Sequence, residues 1–459
     1  MNRSYPIILF LLALLTSVRT QSSFSMKEAV AFAQENAEEM QIEKLKIADA
    51  EWQIKEYKSI GIPKITGNSS YTYYFDIPTQ VIPDFISPAV YGVLFNEGLL
   101  EKRELDIAGG IPAQFGTENI LDASVDLETL ILDGSYFVGL RAQKLYRKLV
   151  AEQFIASKYS IKEKISMAYL SVLNIEENIK LLEDNIANLE KLYSETNEIY
   201  EAGFAEKLDA DRLRLSLQNL KTEKENIERV HEVALLVLKQ SMGYPMSDTI
   251  ILKESFDELV NEAKLEDLDI EAFDYLENRP EYTSLKTATE LQDMNVKRLK
   301  VSYLPTLTGF ASYGGQLQRN DLFDSNENDW FKASLVGLRL NVPIFDGFER
   351  RAKIQRAKIS REQTQLRKSL FERSVELQVN SAYLEYINAK DKVASTRENV
   401  NLAQEIYEVT QIKFREGVGS SVEVTQAESE LYQSQSNHTA ALYELVNASI
   451  KLKFALGIL

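Results

Sequence analysis

Residues 120–132 read ILDASVDLETLIL. Leu121, Ala123, Val125 and Leu127 alternate with Asp122, Ser124, Asp126 and Glu128, the period of two that gives a β-strand one apolar and one acidic face. The apolar face suits lipid, and the stretch has about the 9–11 residues that a tilted membrane strand needs. Asp133-Gly134 follows directly; Asp favours a helix N-cap and Gly permits the turn into it. No proline then interrupts residues 135–244. The chain passes from a membrane-length strand straight into a long helix.

The same passage occurs twice. IGIPKITGNSSYTYY (60–74) echoes SYLPTLTGFASYGGQ (302–316), with Pro63 opposite Pro305. Asp133-Gly134 answers Asp346-Gly347, Gly203 answers Gly417, and Met242-Gly243 answers Leu456-Gly457. So long a period is a duplicated half-domain rather than a solenoid. Strands are expected at about 65–75 and 120–132 in the first half, and at about 306–315 and 330–345 in the second. The last of these changes parity near Leu335, which a bulge would explain. Tyr71, Tyr73, Tyr74, Phe75, Phe310, Tyr313, Trp330 and Phe331 gather toward the loop ends, as aromatic girdles do in membrane barrels, although Tyr and Phe favour strands in any setting. Four strands cannot close a barrel and lipid forbids open edges, so membrane-spanning strands here demand several copies of the chain. The loop between strands is longer in the first half, the excess falling around residues 81–110.

Ile161, Ile165, Ala168, Val172, Ile175, Ile179, Leu182, Ile186, Leu189 and Tyr193 recur at alternating spacings of four and three. Val375, Val379, Ala382, Tyr386, Ala389, Val393, Thr396, Val400, Ala403, Tyr407, Thr410 and Phe414 do the same. A sustained seam of about 3.5 residues is coiled-coil packing with left-handed twist. Long helices are expected at 135–201 and 347–415. Each turns at a glycine, in YEAGFAEKLD (200–209) and FREGVGSSVEV (414–424), into return helices at 208–243 and 421–456. Periodicity alone also suits a fibrous rod or a spectrin-like bundle.

The chain carries 52 basic and 69 acidic residues, a net charge of −17, which repels nucleic acid. There is no Cys, hence no disulfide, thiolate metal site or lipidated cysteine. His231 and His438 are the two histidines, both at interrupted seam positions, and they read as structural. Nothing resembles a nucleophile–base pair, a phosphate loop or a metal cluster, so the chain is expected to be no enzyme and to use no cofactor or metal. The N-terminus, MNRSYPIILFLLALLTSVRT, joins Arg3 to an apolar run at Ile7–Leu15. That is a signal peptide over residues 1–22, with cleavage expected between 20 and 25. No later run reaches the ~18 apolar residues of a spanning helix. An acidic connector, 246–275, separates a first half at 23–245 from a second at 276–459; from Asp248 to Glu281 twelve acids face three bases. It suits a solvated linker or a collar outside the long helices.

The ordered motifs NRPEYTSL (278–285), SYLPTLTGFASYG (302–314), VPIFDG (342–347), FREGVGSSVEVTQAESELYQSQ (414–435) and KLKFALG (451–457) have first-half counterparts in IPKITGNSSYTYY (62–74), LILDGSYF (130–137) and YEAGFAEKLDADRLRLSLQ (200–218). Together they resemble the TolC-type outer-membrane efflux protein family over essentially the whole mature chain. The resemblance implies a mainly α fold with a small β part. Each chain of a homotrimer would give four strands to a twelve-stranded β-barrel and its helices to a hollow periplasmic α-barrel. The connector and chain ends would form an equatorial collar. It implies an exit duct in the outer membrane of a diderm bacterium, in contact with outer-membrane lipid and coupled through a periplasmic adaptor to an inner-membrane pump. In some relatives acidic rings and inter-helix links near the helical turns close the periplasmic mouth. By position, Asp209 and Glu423 match two acid sites, whereas another acid site falls on Gln426 and a basic link site on Gly419, a departure from that network. Glu206 and Asp211 are further aperture candidates, and all four acids equally suit a first helical turn. Gly203, Phe204, Gly417, Val418 and Gly419 are candidates for adaptor contact. Asp133, Gly134, Asp346 and Gly347 read as strand-to-helix junctions. The expected activity is passive export of small molecules in a tripartite efflux system. The alternatives are a type I protein-secretion duct and, from another class, an exported coiled-coil structural or adhesion protein.

Overall fold

The computed structural model describes residues 22–104, 110–265, 274–323 and 330–459. The expected signal peptide, apart from Ser22, lies outside the described residues, as do 105–109 of the long first-half loop and 266–273 of the connector. In chain order the elements are β1 (Ser22–Phe24), α1 (Met26–Asn36), α2 (Glu38–Ser59), β2 (Lys64–Tyr73), β3 (Thr79–Ile82), α3 (Ile86–Asn96), β4 (Ile111–Gln114), β5 (Asn119–Leu132), α4 (Gly134–Glu201) and α5 (Lys207–Met242). There follow β6 (Ile250–Leu252), α6 (Phe256–Glu262), α7 (Pro280–Val301), β7 (Thr306–Arg319), β8 (Trp330–Asn341), α8 (Glu349–Arg415) and α9 (Ser421–Ala455). Two compact units result, each drawing on both sequence halves: residues up to Glu51 with Lys144–Gln292 and Ile359–Leu459, and Trp52–Gln143 with Asp293–Lys358.

The second of these units is organised by one antiparallel sheet in the order β2-β5-β7-β8. Residues opposite one another in such a ladder share a face. Tyr71 pairs with Leu121 and Ile65 with Leu127, Val125 with Tyr313, and Ala311 with Val336 and Gly309 with Leu338. These form an apolar face. The opposite face pairs Asn68 with Ser124 and Thr66 with Asp126, and Asp122 with Gln316. It is hydrogen-bonded across strands, with Asn68 Nδ2 donating to Asp126 at 2.6 Å and Gln316 Nε2 to Asp122 at 2.9 Å. The bulge expected near Leu335 is absent: the β7–β8 register runs unbroken from Thr306↔Asn341 to Leu317↔Trp330, which leaves Phe331 and Leu335 on the polar face. The register shifts instead in β5, between Leu130 and Leu132. Among the described residues, the outer edges of β2 and β8 have no strand beside them. The long first-half loop contains a β3–β4 pair, Thr79↔Gln114 to Ile82↔Ile111, enclosing α3.

In the first unit the seams become apolar clusters. Ile165, Tyr169, Leu238, Met242, Phe256 and Ile450 belong to one around α1. Val379, Ala382, Tyr386, Leu445 and Leu452 join α8 to α9. Leu189, Leu213, Tyr407, Val424 and Leu431 form a third, toward the helix turns. Helix α4 has 68 residues, about 100 Å at 1.5 Å per residue. The connector does more than link: β6 pairs in parallel with β1, Ser22↔Ile250 to Phe24↔Leu252, and Ser255 and Glu258 make a capping box for α6. The duplication persists in packing. Gly243 (φ 69°) leaves a Cβ position 2.7 Å from the Asn36 carbonyl oxygen, and Gly457 (φ 77°) leaves one 2.6 Å from Asn278 Cβ. Left-handed φ and crowding both require glycine there. No described helix is long and apolar enough to cross a membrane.

Candidate functional site

The two helix turns of the first unit carry most of the candidate residues. Gly203 (φ 82°) ends α4, and the Phe204 N–H donates to the Ile199 carbonyl at 2.9 Å. Gly417 (φ 74°) ends α8, and the N–H groups of Val418 and Gly419 both reach the Lys413 carbonyl, at 3.0 and 3.1 Å. These are left-handed C-caps that satisfy the last carbonyls of each helix. They push Phe204 and Val418 into solvent, 86% and 78% exposed. The two apolar tips stand at equivalent places of the two halves, outside any core.

The four acids differ in environment. Asp209 is half-buried in the first turn of α5, where its carboxylate accepts from the Ser421 hydroxyl. Arg212 Nη1 donates to the same Ser421 oxygen at 3.3 Å. Asp211 pairs with Arg214 at 3.2 Å. Glu206 is the exposed N-cap residue of α5 and makes no side-chain cap. Glu423 is exposed, and its N–H donates to the Ser420 hydroxyl at 3.3 Å. The aligned pair Asp209 and Glu423 is thus split: one carboxylate is engaged between α5 and α9, the other faces water. Arg415 and Glu195, 3.0 Å apart, link α8 to α4. Both are well exposed, and such pairs contribute only about 0–1 kcal/mol.

Sequence reasoning missed Ser421, Arg212, Arg415 and Glu195, which act across the two helix pairs. It also missed Glu428, which is 4% exposed with Oε1 lacking any hydrogen-bond partner. Burial pushes its carboxyl up to about 7, against a lowering hydrogen bond from Ser216. Burial and the neighbouring Glu428 likewise raise the Tyr407 phenol. A signal existed: Val424, Glu428 and Leu431 are spaced four and three, so a carboxyl occupies a seam position.

At the strand-to-helix junctions, Asp133 Oδ1 accepts from the N–H groups of Ser135 and Tyr136 at 2.7 and 3.3 Å, and Gly134 leaves no room for a Cβ beside Val301. Asp346 accepts from both the N–H and Nη1 of Arg350, each at 3.1 Å. Gly347 and Phe348 adopt left-handed φ of 62° and 70°, so α8 starts at Glu349 and not at 347. His231 Nε2 lies 3.1 Å from Glu176, and His438 Nδ1 lies 3.0 Å from the Thr396 hydroxyl. No group of His, Asp and Glu among the described residues has a metal-holding arrangement.

Residues 274–458 match the sequence profile of the family described as outer membrane efflux protein. The alkaline protease secretion protein AprF of Pseudomonas aeruginosa is 22% identical over 326 residues, covering 68% of this chain and 66% of its own length. Outer membrane protein TolC of Vibrio cholerae is 21% identical over 355 residues, covering 74% of this chain and 77% of its own. The solved structure of CusC superposes with a TM-score of 0.72 at 14% identity, over 94% of this chain and 92% of that one. The mainly helical fold with a small β part is therefore one already seen in a solved channel.

Proposed function

We propose that the protein, whose residues 274–458 match the profile of the outer membrane efflux protein family, is a passive exit duct in the outer membrane of a diderm bacterium, its helices in the periplasm. The observation that carries the reading is the β2-β5-β7-β8 sheet, with one apolar face, one hydrogen-bonded polar face and two bare edges. Lipid tolerates no bare edge. Three copies would join β2 of one to β8 of the next, closing a twelve-stranded barrel with the polar face toward the lumen. The energy for export would come from an inner-membrane pump joined through a periplasmic adaptor.

The exposed tips at Phe204 and Val418, with Gly203, Gly417 and Gly419 setting the turns, are the proposed adaptor contacts. Glu206, Asp209, Asp211 and Glu423 are the proposed acids of the periplasmic aperture, where rings of carboxylates would favour cations. Small-molecule efflux is the preferred cargo reading. A protein-secretion duct is the second, favoured by the likeness to AprF.

The decisive experiment is purification from outer membranes, followed by heat-modifiable migration and conductance in planar bilayers. A heat-sensitive trimer forming cation-selective channels is expected. A soluble, non-conducting monomer overturns the proposal. Charge reversal at Glu423 should abolish export in cells while trimers persist; unchanged export removes that residue from the working mouth.

A further inference from the structure

The first unit holds a half-open cavity of about 530 Å³ between α1, α4, α6 and the end of α9, within the ~300–1,000 Å³ range of small-molecule pockets. Its wall has two characters. Val30, Val446, Ile450 and Ile458 supply apolar surface. Among the described residues, Lys27, Lys162 and Lys453 also line it, against the one acidic side chain of Glu262. In a chain of net charge −17, a lining with an excess of positive charge is unexpected.

The lysines are incompletely satisfied. Lys162 Nζ donates to a backbone oxygen of Leu459, and Lys453 Nζ reaches the Glu262 carbonyl at 3.5 Å. Lys27 is exposed. Burial and the charge of Lys27 hold the Lys162 ammonium below its usual range, and burial does the same to Lys453, opposed by Glu262 and reinforced by Lys27. Like charges held near one another at partly buried positions disfavour their own ionisation, and a bound anion would reverse that. Ser449 provides a separate observation. It lines the same cavity, is 1% exposed, and its hydroxyl has no hydrogen-bond partner. Buried hydroxyls are normally paired, so this one lacks an acceptor or donor that a ligand would bring.

The geometry points to a binding site for a single-chain amphipathic carboxylate, its head among Lys27, Lys162, Lys453 and Ser449 and its tail along Val30, Val446 and Ile450. The cavity joins the N-terminal helix, the connector helix α6 and the last turn of α9, so occupancy would tie these three segments together.

The test uses the full-length protein in a neutral maltoside detergent, with radiolabelled decanoate as the probe and detergent alone as the blank. Saturable binding at one site per chain is expected. Unlabelled decanoate should compete; decanol, acetate and decyltrimethylammonium should not. Lys27→Gln with Lys453→Gln should weaken binding roughly tenfold, as loss of charge-assisted contacts does. Ser449→Ala should also weaken it while leaving the melting temperature of the ligand-free protein unchanged or higher. That variant removes an unpaired hydroxyl and serves as the test if the lysine variants fail to fold. Retention equal to the blank, equal competition by decanol, or unchanged binding in both variants would overturn the site. Binding of didecanoyl phosphatidylglycerol in place of decanoate would reassign it to a lipid headgroup and reject the single-chain ligand.

Discussion

Glu428 makes the third apolar cluster pH-dependent. Its carboxyl is raised from an ordinary 4.5 to about 7 by burial. An acid raised on folding stabilises the folded state while protonated, and that advantage is lost as pH climbs from the unfolded value through the folded one. Over the whole window the loss is about 3 kcal/mol, and between pH 6 and 8 it is about 1.4 kcal/mol, or tenfold in local opening. The effect belongs to the segments around Leu189, Leu213, Tyr407 and Val424, so native-state amide exchange there, corrected for intrinsic rates, is the assay. Wild type should lose about tenfold protection between pH 6 and 8, and Glu428→Gln should abolish that dependence and exceed wild type at pH 8. Equal pH dependence in the two proteins would refute the reasoning, because some other group would then be titrating.

Other outcomes are expected elsewhere. Gly243→Ala should cost about 1–3 kcal/mol in thermal unfolding through strain and contact with Asn36, whereas Gly417→Ala, which has open space around it, should cost only about 1 kcal/mol. Arg279 is 4% exposed, pairs with Glu281 at 3.0 Å and donates to the Phe454 carbonyl at 3.3 Å; Arg279→Ala should lower stability by about 3–5 kcal/mol in denaturant titration. On β8, Val336→Lys introduces a charge on the proposed lipid face and should cost about 2–4 kcal/mol near mid-membrane, read as lost outer-membrane assembly, while Leu335→Lys on the polar face should assemble normally.

The long seams were readable because they follow one rule for many turns: Val375, Val379, Ala382, Tyr386 and Ala389 are all buried. The strand at 120–132 was readable because its apolar and polar residues alternate strictly onto the two faces of the sheet. Strand 330–341 misled because Leu335 sits on the polar face without a bulge; the unbroken pairing with β7, and not local pattern, sets parity there. The short β1–β6 pair was invisible, since three residues carry no period. Helix α3, ISPAVYGVLFN, contains Gly and Pro, and these read as loop when taken one at a time. The turn residues were legible as glycines, but the Asp209–Ser421–Arg212 link was not. It joins positions more than 200 apart, and at the place equivalent to Ser421 the first half has Lys207.

The two bare margins of the sheet carry a genetic consequence. β2 and β8 are different surfaces, so the proposed ring would grow head to tail and close only when every junction is sound. A subunit damaged on one margin still offers a good one to its neighbour, and acts as a terminator once incorporated. Expressed in equal amounts beside the intact gene, it would leave about one three-membered ring in eight undamaged. Lesions in β2 or β8 should therefore behave as dominant, while lesions that merely unfold the chain should be recessive.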